Sequence, residues 1–183
     1  MTSRYSWFAD WVDNHVMATL TAVKGPDAAR VLAVFGSTGF DQSERTLYET
    51  FDLETPTIRI GTTAGGWLYA VEQRTVKGGD HALLQRLTSD GGEAVALCFT
   101  PKIDVFHYCK NGEHILGFDI LIPDFRYGSE QQALDQQMHE AGLLTRDGPR
   151  PRAAVADFVE RVFGLTITRS MLEDRLPCAT IPP

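Results

Sequence analysis

The spacing of hydrophobic residues predicts helices near both ends of the chain and short strands between them. Apolar side chains recur at helical spacing from Tyr5 to Val12 and from Ala28 to Phe35. Before the second of these helices, we expect Gly25 as the cap, Pro26 at the first position and Asp27 as a charge that complements the positive helix end. Two further helices are predicted after Ser129 and over residues 153–163, and each ends at a glycine. Helices therefore flank a central region with a different pattern.

The central region and the segment before the second helix contain runs of strand length. Residues 18–23 alternate between small or apolar and polar groups. Residues 57–60 and 67–72 are predicted strands, and Gly65-Gly66 helps the chain turn between them. Residues 93–100 are almost continuously apolar, which predicts a strand covered on both faces.

The clearest hairpin is formed by residues 104–110 and 113–121. Its connection, Asn111-Gly112, favours a type I′ turn because both residues tolerate positive φ. Together the strands and helices predict an α+β fold: a single, mostly antiparallel sheet of about six strands with helices packed on it. We expect one domain over residues 1–176 and a Pro-rich tail over residues 177–183.

Composition narrows the class of protein. The chain has 183 residues, 43% hydrophobic and 22% charged, and its mean hydropathy is −0.16. No apolar run approaches the ~18 residues of a membrane helix, and residues 1–15 show no signal peptide. The net charge of −7 argues against nucleic acid and membrane as partners. Cys98, Cys109 and Cys178 lack the spacing of a disulfide framework or zinc knuckle, so we expect a cytoplasmic protein.

Familiar catalytic signatures are absent from the sequence. There is no G-x-x-x-x-G-K-[ST], H-E-x-x-H, G-x-S-x-G or C-x-x-C. The segment from Gly61 to Gly66 leads from one strand into another, which predicts a hairpin turn rather than a phosphate-binding loop. The sequence therefore predicts no cofactor and no metal, and it leaves open whether the protein is an enzyme.

One group of reactive side chains gathers on the predicted hairpin. With a two-residue turn, Cys109 should face His114 and His107 should face Leu116, so that these residues and Phe118 share one face. His107, Cys109 and His114 then converge near the tip, as metal ligands or as a Cys–His pair with a thiolate nucleophile. Because the same face is partly apolar, a small buried cysteine beside a hydrogen-bonded imidazole is the alternative interpretation.

Glu72 and several aromatic residues complete the set of candidates. Glu72 follows small and apolar neighbours on its strand face, where burial would raise its pKa to a range useful in catalysis. Pairing with Arg59 on the adjacent strand is the structural alternative. The catalytic candidates are Glu72, His107, Cys109 and His114. The binding candidates are Trp67, Tyr69, Tyr108, Arg126 and Tyr127.

Short phrases along the chain carry a resemblance to known sequences. They include Lys24-Gly25, Gly65-Gly66-Trp67, Arg126-Tyr127-Gly128 and Val162-Phe163-Gly164-Leu165. From about Trp11 to Leu172, the chain resembles a family of uncharacterised, mostly actinobacterial proteins classed as a domain of unknown function. The resemblance implies a bacterial cytoplasmic protein and assigns no catalytic residues. In size, acidity and a central Gly-Trp strand, the chain is also similar to small α+β immunity proteins that neutralise toxins.

Two hypotheses about function follow. The first is a non-catalytic intracellular binding or accessory protein that recognises a protein partner, with an immunity-like role as one form of it. The acidic charge, the aromatic residues and the absence of a catalytic motif favour it. The alternative is a small-molecule enzyme or ligand-binding protein with a pocket between the sheet and the helices.

Overall fold

The computed structural model describes residues 3–15, 17–41, 43–145 and 150–183. The helices in these ranges are α1 (Ser6–Asn14), α2 (Ala28–Phe35), α3 (Leu47–Phe51), α4 (His81–Thr88), α5 (Asp135–Glu140), α6 (Pro151–Phe163) and α7 (Arg169–Glu173). The strands are β1 (Ala18–Lys24), β2 (Glu44–Arg45), β3 (Thr57–Thr62), β4 (Leu68–Gln73), β5 (Glu93–Phe99), β6 (Asp104–Lys110), β7 (Glu113–Asp119), β8 (Arg126–Tyr127) and β9 (Leu176–Thr180). A short 3-10 helix, Lys77–Gly79, precedes α4 and is called the glycine turn below.

The strands form one sheet in the order β2-β9-β3-β4-β1-β5-β6-β7-β8. All neighbouring strands are antiparallel. The α+β class and the single antiparallel sheet are therefore confirmed. The expected number of about six strands was wrong, because the sheet has nine. The pattern missed β2, β8 and β9, which are too short to give a periodic signal or, in β9, are interrupted by proline.

Residues 177–183, which we expected to form a tail outside the domain, contribute to the sheet. In β9, Ala179 lies opposite Ile58 of β3 and Cys178 lies opposite Arg59. Cys178, Ala179 and Ile181 are buried. This pairing joins segments far apart in sequence, so it leaves no mark in the local pattern of either strand.

Helices cover both faces of the sheet and create two hydrophobic cores. The α6 face is covered by α1, α5, α6 and α7, and its core includes Phe106, Phe118 and Phe158. The α4 face is covered by α2 and α4, and its core includes Leu84 and Cys109. The glycine turn also lies on this second face. Each helix thus buries one apolar side against the sheet, which is why the central strands are buried almost throughout.

Local signals set several helix ends. The glycine ends of α2 and α6 are as the sequence predicts, whereas the cap of α2 is Asp27 rather than Gly25 and α6 begins two residues before Ala153. Asp27 caps α2 by accepting a hydrogen bond from the Arg30 amide at 2.8 Å, and Gly36 ends it with a φ of 87°. Pro151 begins α6, and Gly164 ends it with a φ of 64°. The helix predicted after Ser129 is confined to α5, with turns before it. Within the described ranges, no helix is long and apolar enough to cross a membrane.

Candidate functional site

The β6–β7 hairpin has the predicted turn but not the predicted register. Asn111 and Gly112 both have positive φ, 51° and 79°, which confirms the type I′ geometry. Cys109 lies opposite His114, as expected. A bulge between Tyr108 and Cys109 then shifts the register, so that His107 lies opposite Gly117 rather than Leu116.

The bulge separates side chains that the sequence pattern placed on one face. The extra residue in β7 turns Ile115, Leu116 and Phe118 toward the α6 face, where they are buried. The expected position of Leu116 and Phe118 on the face of His107 was therefore wrong. What lies opposite His107 is Gly117, which has no side chain. The ring of Tyr127 from β8 fills the space over Gly117. A Cβ added to Gly117 would lie only 2.6 Å from Tyr127 Cε2, so the ring fits there only because residue 117 has no side chain.

Three histidines and one tyrosine gather over this position, and we call them the histidine cluster. His107 Nδ1 lies 3.2 Å from His114 Nε2. His81, the first residue of α4, stacks on His114 with ring centroids 4.8 Å apart. The ring of Tyr127 lies 5.7 Å from that of His107 and 5.5 Å from that of His114. His107 is buried, whereas the other three side chains reach solvent.

The hairpin pattern predicted two of the three histidines of the cluster and missed His81. His81 lies beyond the reach of hairpin geometry, because it is brought to the cluster by α4 crossing the sheet. The available signal was Asp80, which caps α4 by accepting a hydrogen bond from the Ala82 amide at 2.9 Å. That signal locates the start of the helix but not its position over β6 and β7.

Burial and repulsion between neighbouring histidines lower the pKa of two imidazoles of the cluster, those of His107 and His114. Burial lowers the pKa of His107 to about 4, and the charges that His114 and His81 would carry act in the same direction. The pKa of His114 is also lowered, by burial and by His81. At neutral pH, His107 and His114 are therefore neutral imidazoles that can donate or accept a hydrogen bond. Among the described residues, no group of three or more His, Cys, Asp or Glu is arranged to hold a metal ion.

Cys109 lies beside the cluster but is not poised as a nucleophile. It is fully buried in the core of the α4 face, and its Sγ lies 3.9 Å from the carbonyl oxygen of His81. Burial raises the pKa of its thiol to about 12. The side chain is therefore a neutral thiol that packs against the start of α4.

Glu72 is the other candidate that the structure places in a defined polar setting. It is fully buried on the α4 face, and its carboxylate accepts hydrogen bonds from the amides of Lys77 at 2.9 Å and Gly78 at 2.7 Å. Burial raises its pKa to about 7, although these two hydrogen bonds act in the opposite direction. The suggested pairing with Arg59 was wrong, because Glu72 lies opposite Ile58 and Arg59 points to the other face.

The binding candidates occupy different environments. Trp67 is fully buried, with its indole N–H donating to the carbonyl oxygen of Phe163 at 3.2 Å. Tyr69 is 5% exposed, and half-buried Tyr108 packs against the ring of Phe163. Arg126 is ion-paired with Asp135, and its Nε donates to the carbonyl oxygen of Pro123. Tyr127, with 38% of its surface exposed, is the one of the five that a large partner reaches most readily.

Next to Tyr127, the structure exposes a group of large hydrophobic side chains that the sequence pattern did not indicate. We call this group the apolar patch. Its members are Ile103, Leu121, Ile122, Phe125 and Tyr127. They are five of the nine large hydrophobic side chains exposed in the described part of the chain, and Phe125 is 76% exposed. The run Ile120-Leu121-Ile122 is typical of the end of a strand, so only the tertiary structure shows which of its residues face solvent.

A family model described as "Family of unknown function (DUF6461)" matches residues 1–183, so the whole chain belongs to that family. No curated protein and no solved structure matches the chain.

Proposed function

We propose that this DUF6461 protein is a non-catalytic binding protein that recognises a partner protein through the apolar patch. The observation that carries the proposal is the concentration of exposed apolar surface on the β7–β8 loop and its neighbours. Exposed apolar side chains that lie together mark interaction surfaces, whereas scattered ones need no explanation.

Main-chain hydrogen bonds hold the patch together. The Ile120 amide donates to the carbonyl oxygen of Asp104 at 2.8 Å, so the residues before Leu121 and after Ile103 are joined directly. The Phe125 amide donates to the carbonyl oxygen of Ile122 at 2.9 Å and closes the loop. Because the loop has these fixed contacts, its apolar side chains lose less conformational freedom on binding than those of a loose segment.

Acidic side chains lie at the base of the patch and within its loop, and they suggest the chemistry of the partner. Asp124 lies within the loop and is exposed, and the carboxylate of half-buried Asp119 accepts hydrogen bonds from the Leu121 and Ile122 amides. The positive charge of Arg126 is offset by its ion pair with Asp135. With a net charge of −7 on the whole chain, the complementary partner presents an apolar pocket with a basic rim.

An immunity-like role is a specific form of this proposal. A small acidic protein that covers a basic surface of a toxin would use the same arrangement of apolar patch and acidic surroundings. The alternative of an enzyme built on Glu72, His107 and Cys109 has less support, because all three side chains are buried.

A pair of matched variants tests the proposal. Ile122→Asp combined with Phe125→Asp places charge in the patch, whereas Tyr48→Asp combined with Phe51→Asp does so on another exposed apolar pair. Both pairs are exposed, so the free energy of unfolding of both variants should lie within about 1 kcal/mol of that of the original protein.

The readout is binding to a partner recovered from the native host and then purified. We expect the patch variant to weaken that purified complex at least tenfold and the control variant to leave it unchanged. If the patch variant binds every recovered partner as tightly as the original protein, the patch is not the recognition surface. If the patch variant instead abolishes self-association, the occupant is a second copy of this chain and the proposed partner chemistry is wrong.

A further inference from the structure

A cleft of about 330 Å³ opens between the β3–β4 turn and the connection from α6 to α7, away from the histidine cluster and the apolar patch. Six of its lining residues carry hydroxyl groups, and we call it the hydroxyl cleft. These residues are Thr62, Thr63, Tyr69, Thr166, Thr168 and Ser170. The remaining lining residues are small, apart from Met171, and no charged side chain contributes to the lining.

This lining favours a small, neutral ligand that is itself rich in hydroxyl groups. A hydroxyl both donates and accepts hydrogen bonds, so a wall of hydroxyls matches a ligand of the same kind. The Thr166 hydroxyl already donates to Glu160 Oε1 at 2.8 Å, so it can only accept from a ligand, and the Thr168 and Ser170 hydroxyls are bonded to each other at 2.8 Å. An ionic ligand would lose its hydration in the cleft without meeting an opposite charge in the lining. The volume lies near the lower end of the roughly 300–1,000 Å³ range for small-molecule sites, which suits a ligand with a single ring.

Tyr69 supplies the polar group at the base of the cleft. The residue is 5% exposed, and its hydroxyl is not among the fully buried polar atoms, so the accessible part of the side chain lines the cleft. The ring lies across Gly61, its neighbour on β3, where a Cβ would overlap the phenol. A ligand oxygen in the cleft would replace water as the hydrogen-bond partner of this hydroxyl.

Arg59 holds the other wall of the cleft in place. Its guanidinium donates to the carbonyl oxygens of Leu172 at 2.6 Å and Asp174 at 2.9 Å, which fixes the end of α7 against the sheet. Thr168, at the start of α7, accepts a hydrogen bond from the Met171 amide at 3.3 Å. Both ends of the short helix are therefore held, so the hydroxyls of the cleft keep their positions before a ligand arrives.

We propose that the hydroxyl cleft binds a neutral polyol of monosaccharide or cyclitol size, with the Tyr69 hydroxyl as the hydrogen-bonding group at its base. Binding there is independent of the proposed protein partner, because the cleft and the apolar patch share no residue.

Ligand-observed NMR with D-glucose, D-ribose and myo-inositol tests the proposal on the full chain. We expect saturation transfer to at least one of the three, with millimolar affinity. Tyr69→Phe removes only the hydroxyl and should weaken binding about fivefold to tenfold. Gly65→Leu should block the cleft: Gly65 lines it, has no strained φ, and a Cβ added there would have no neighbour closer than 3.7 Å.

The controls separate binding in the cleft from other effects. Ala133→Leu adds the same side chain at an exposed position elsewhere and should leave the affinity unchanged. The patch variant Ile122→Asp with Phe125→Asp should also bind the polyol normally. No saturation transfer to any of the three probes, or transfer that survives Gly65→Leu, would overturn the proposal. Binding of D-glucuronate alone would overturn the assignment of a neutral ligand.

Discussion

His107 Nδ1 lies 3.2 Å from His114 Nε2, directly beside the bulge of the β6–β7 hairpin. A hydrogen bond between two imidazoles needs one nitrogen to donate and the other to accept, so at least one ring must be neutral. The bulge places Gly117 rather than Leu116 opposite His107, so no side chain on β7 lies directly across from this imidazole. The histidine pair therefore lies at an irregularity of the backbone and constrains the protonation state of two side chains.

Acidification should destabilise the protein through His107. Its pKa is lowered from 6.5 to about 4 by burial and by the neighbouring histidines. As the pH falls below about 6.5, the unfolded chain takes up the proton before the folded one, so stability is lost progressively down to about pH 4. This difference between the pKa values of His107 in the unfolded and folded states corresponds to a loss of about 3 kcal/mol in the free energy of unfolding. Urea unfolding at several pH values between 7 and 4 measures it.

The comparison that isolates this effect is between two histidine variants. His107→Gln should unfold with a smaller loss of free energy over that pH range than the original protein. His139→Gln changes an exposed histidine and should keep the original pH dependence. Equal pH dependence in His107→Gln and the original protein would show that His107 does not titrate in this way.

Glu72 should act in the opposite direction over nearly the same range. Its pKa is raised from 4.5 to about 7, mainly by burial, so the folded state favours the protonated carboxyl. The protonated carboxyl stabilises the folded state fully below about pH 4.5. As the pH rises to about 7, this contribution is lost, and the free energy of unfolding falls by about 3 kcal/mol. Glu72→Gln should remove this loss, whereas Glu130→Gln at an exposed position should not. Denaturant titrations at pH 5 and pH 8 give the change in the free energy of unfolding between the two pH values. If that change is the same in Glu72→Gln as in the original protein, the predicted contribution of Glu72 is wrong.

Loss of Arg152 should be far more damaging than loss of Arg150. Asp104 is 1% exposed, and its Oδ2 accepts a hydrogen bond from Arg152 Nε at 2.7 Å. Arg152→Leu leaves that carboxylate buried and unpaired, which should lower the free energy of unfolding by about 3–5 kcal/mol. Arg150 pairs with Asp10 and Asp13 at the exposed surface, so Arg150→Leu should lower the free energy of unfolding far less than Arg152→Leu.

A second substitution distinguishes the buried charge from lost packing. Asp104→Asn removes the charge, and in the Arg152→Leu background it should recover part of the lost stability. Chemical denaturation gives the free energies of unfolding of Arg152→Leu and of the double variant, which are then compared. If the double variant is no more stable than Arg152→Leu, the unpaired charge is not the cause of the loss.

The three cysteines should not react with a thiol reagent while the protein is folded. Cys98, Cys109 and Cys178 are free and buried, and burial raises the pKa of each thiol. Titration with Ellman's reagent should give no reaction in the native protein and three equivalents in denaturant. A Ser129→Cys variant adds a thiol at an exposed position and should give one native equivalent. Rapid native modification of Cys109 in the original protein would restore it as a candidate nucleophile.

The sequence by itself determined the elements that depend on neighbouring residues. The Asn111-Gly112 turn, the end of α2 at Gly36 and the end of α6 at Gly164 follow from backbone preferences that act over a few positions. The alternation along β4, which places Tyr69 and Glu72 on opposite faces, follows in the same way from the geometry of a strand.

Only the tertiary structure decided which of these elements meet. The bulge that places Gly117 opposite His107 depends on packing Ile115 and Leu116 into the α6-face core, and the position of His81 depends on α4 crossing the sheet. β9 joins the sheet through a pairing with β3 that spans most of the chain. Contacts of this kind are fixed by the burial of distant surfaces against one another, and local spacing carries no record of them.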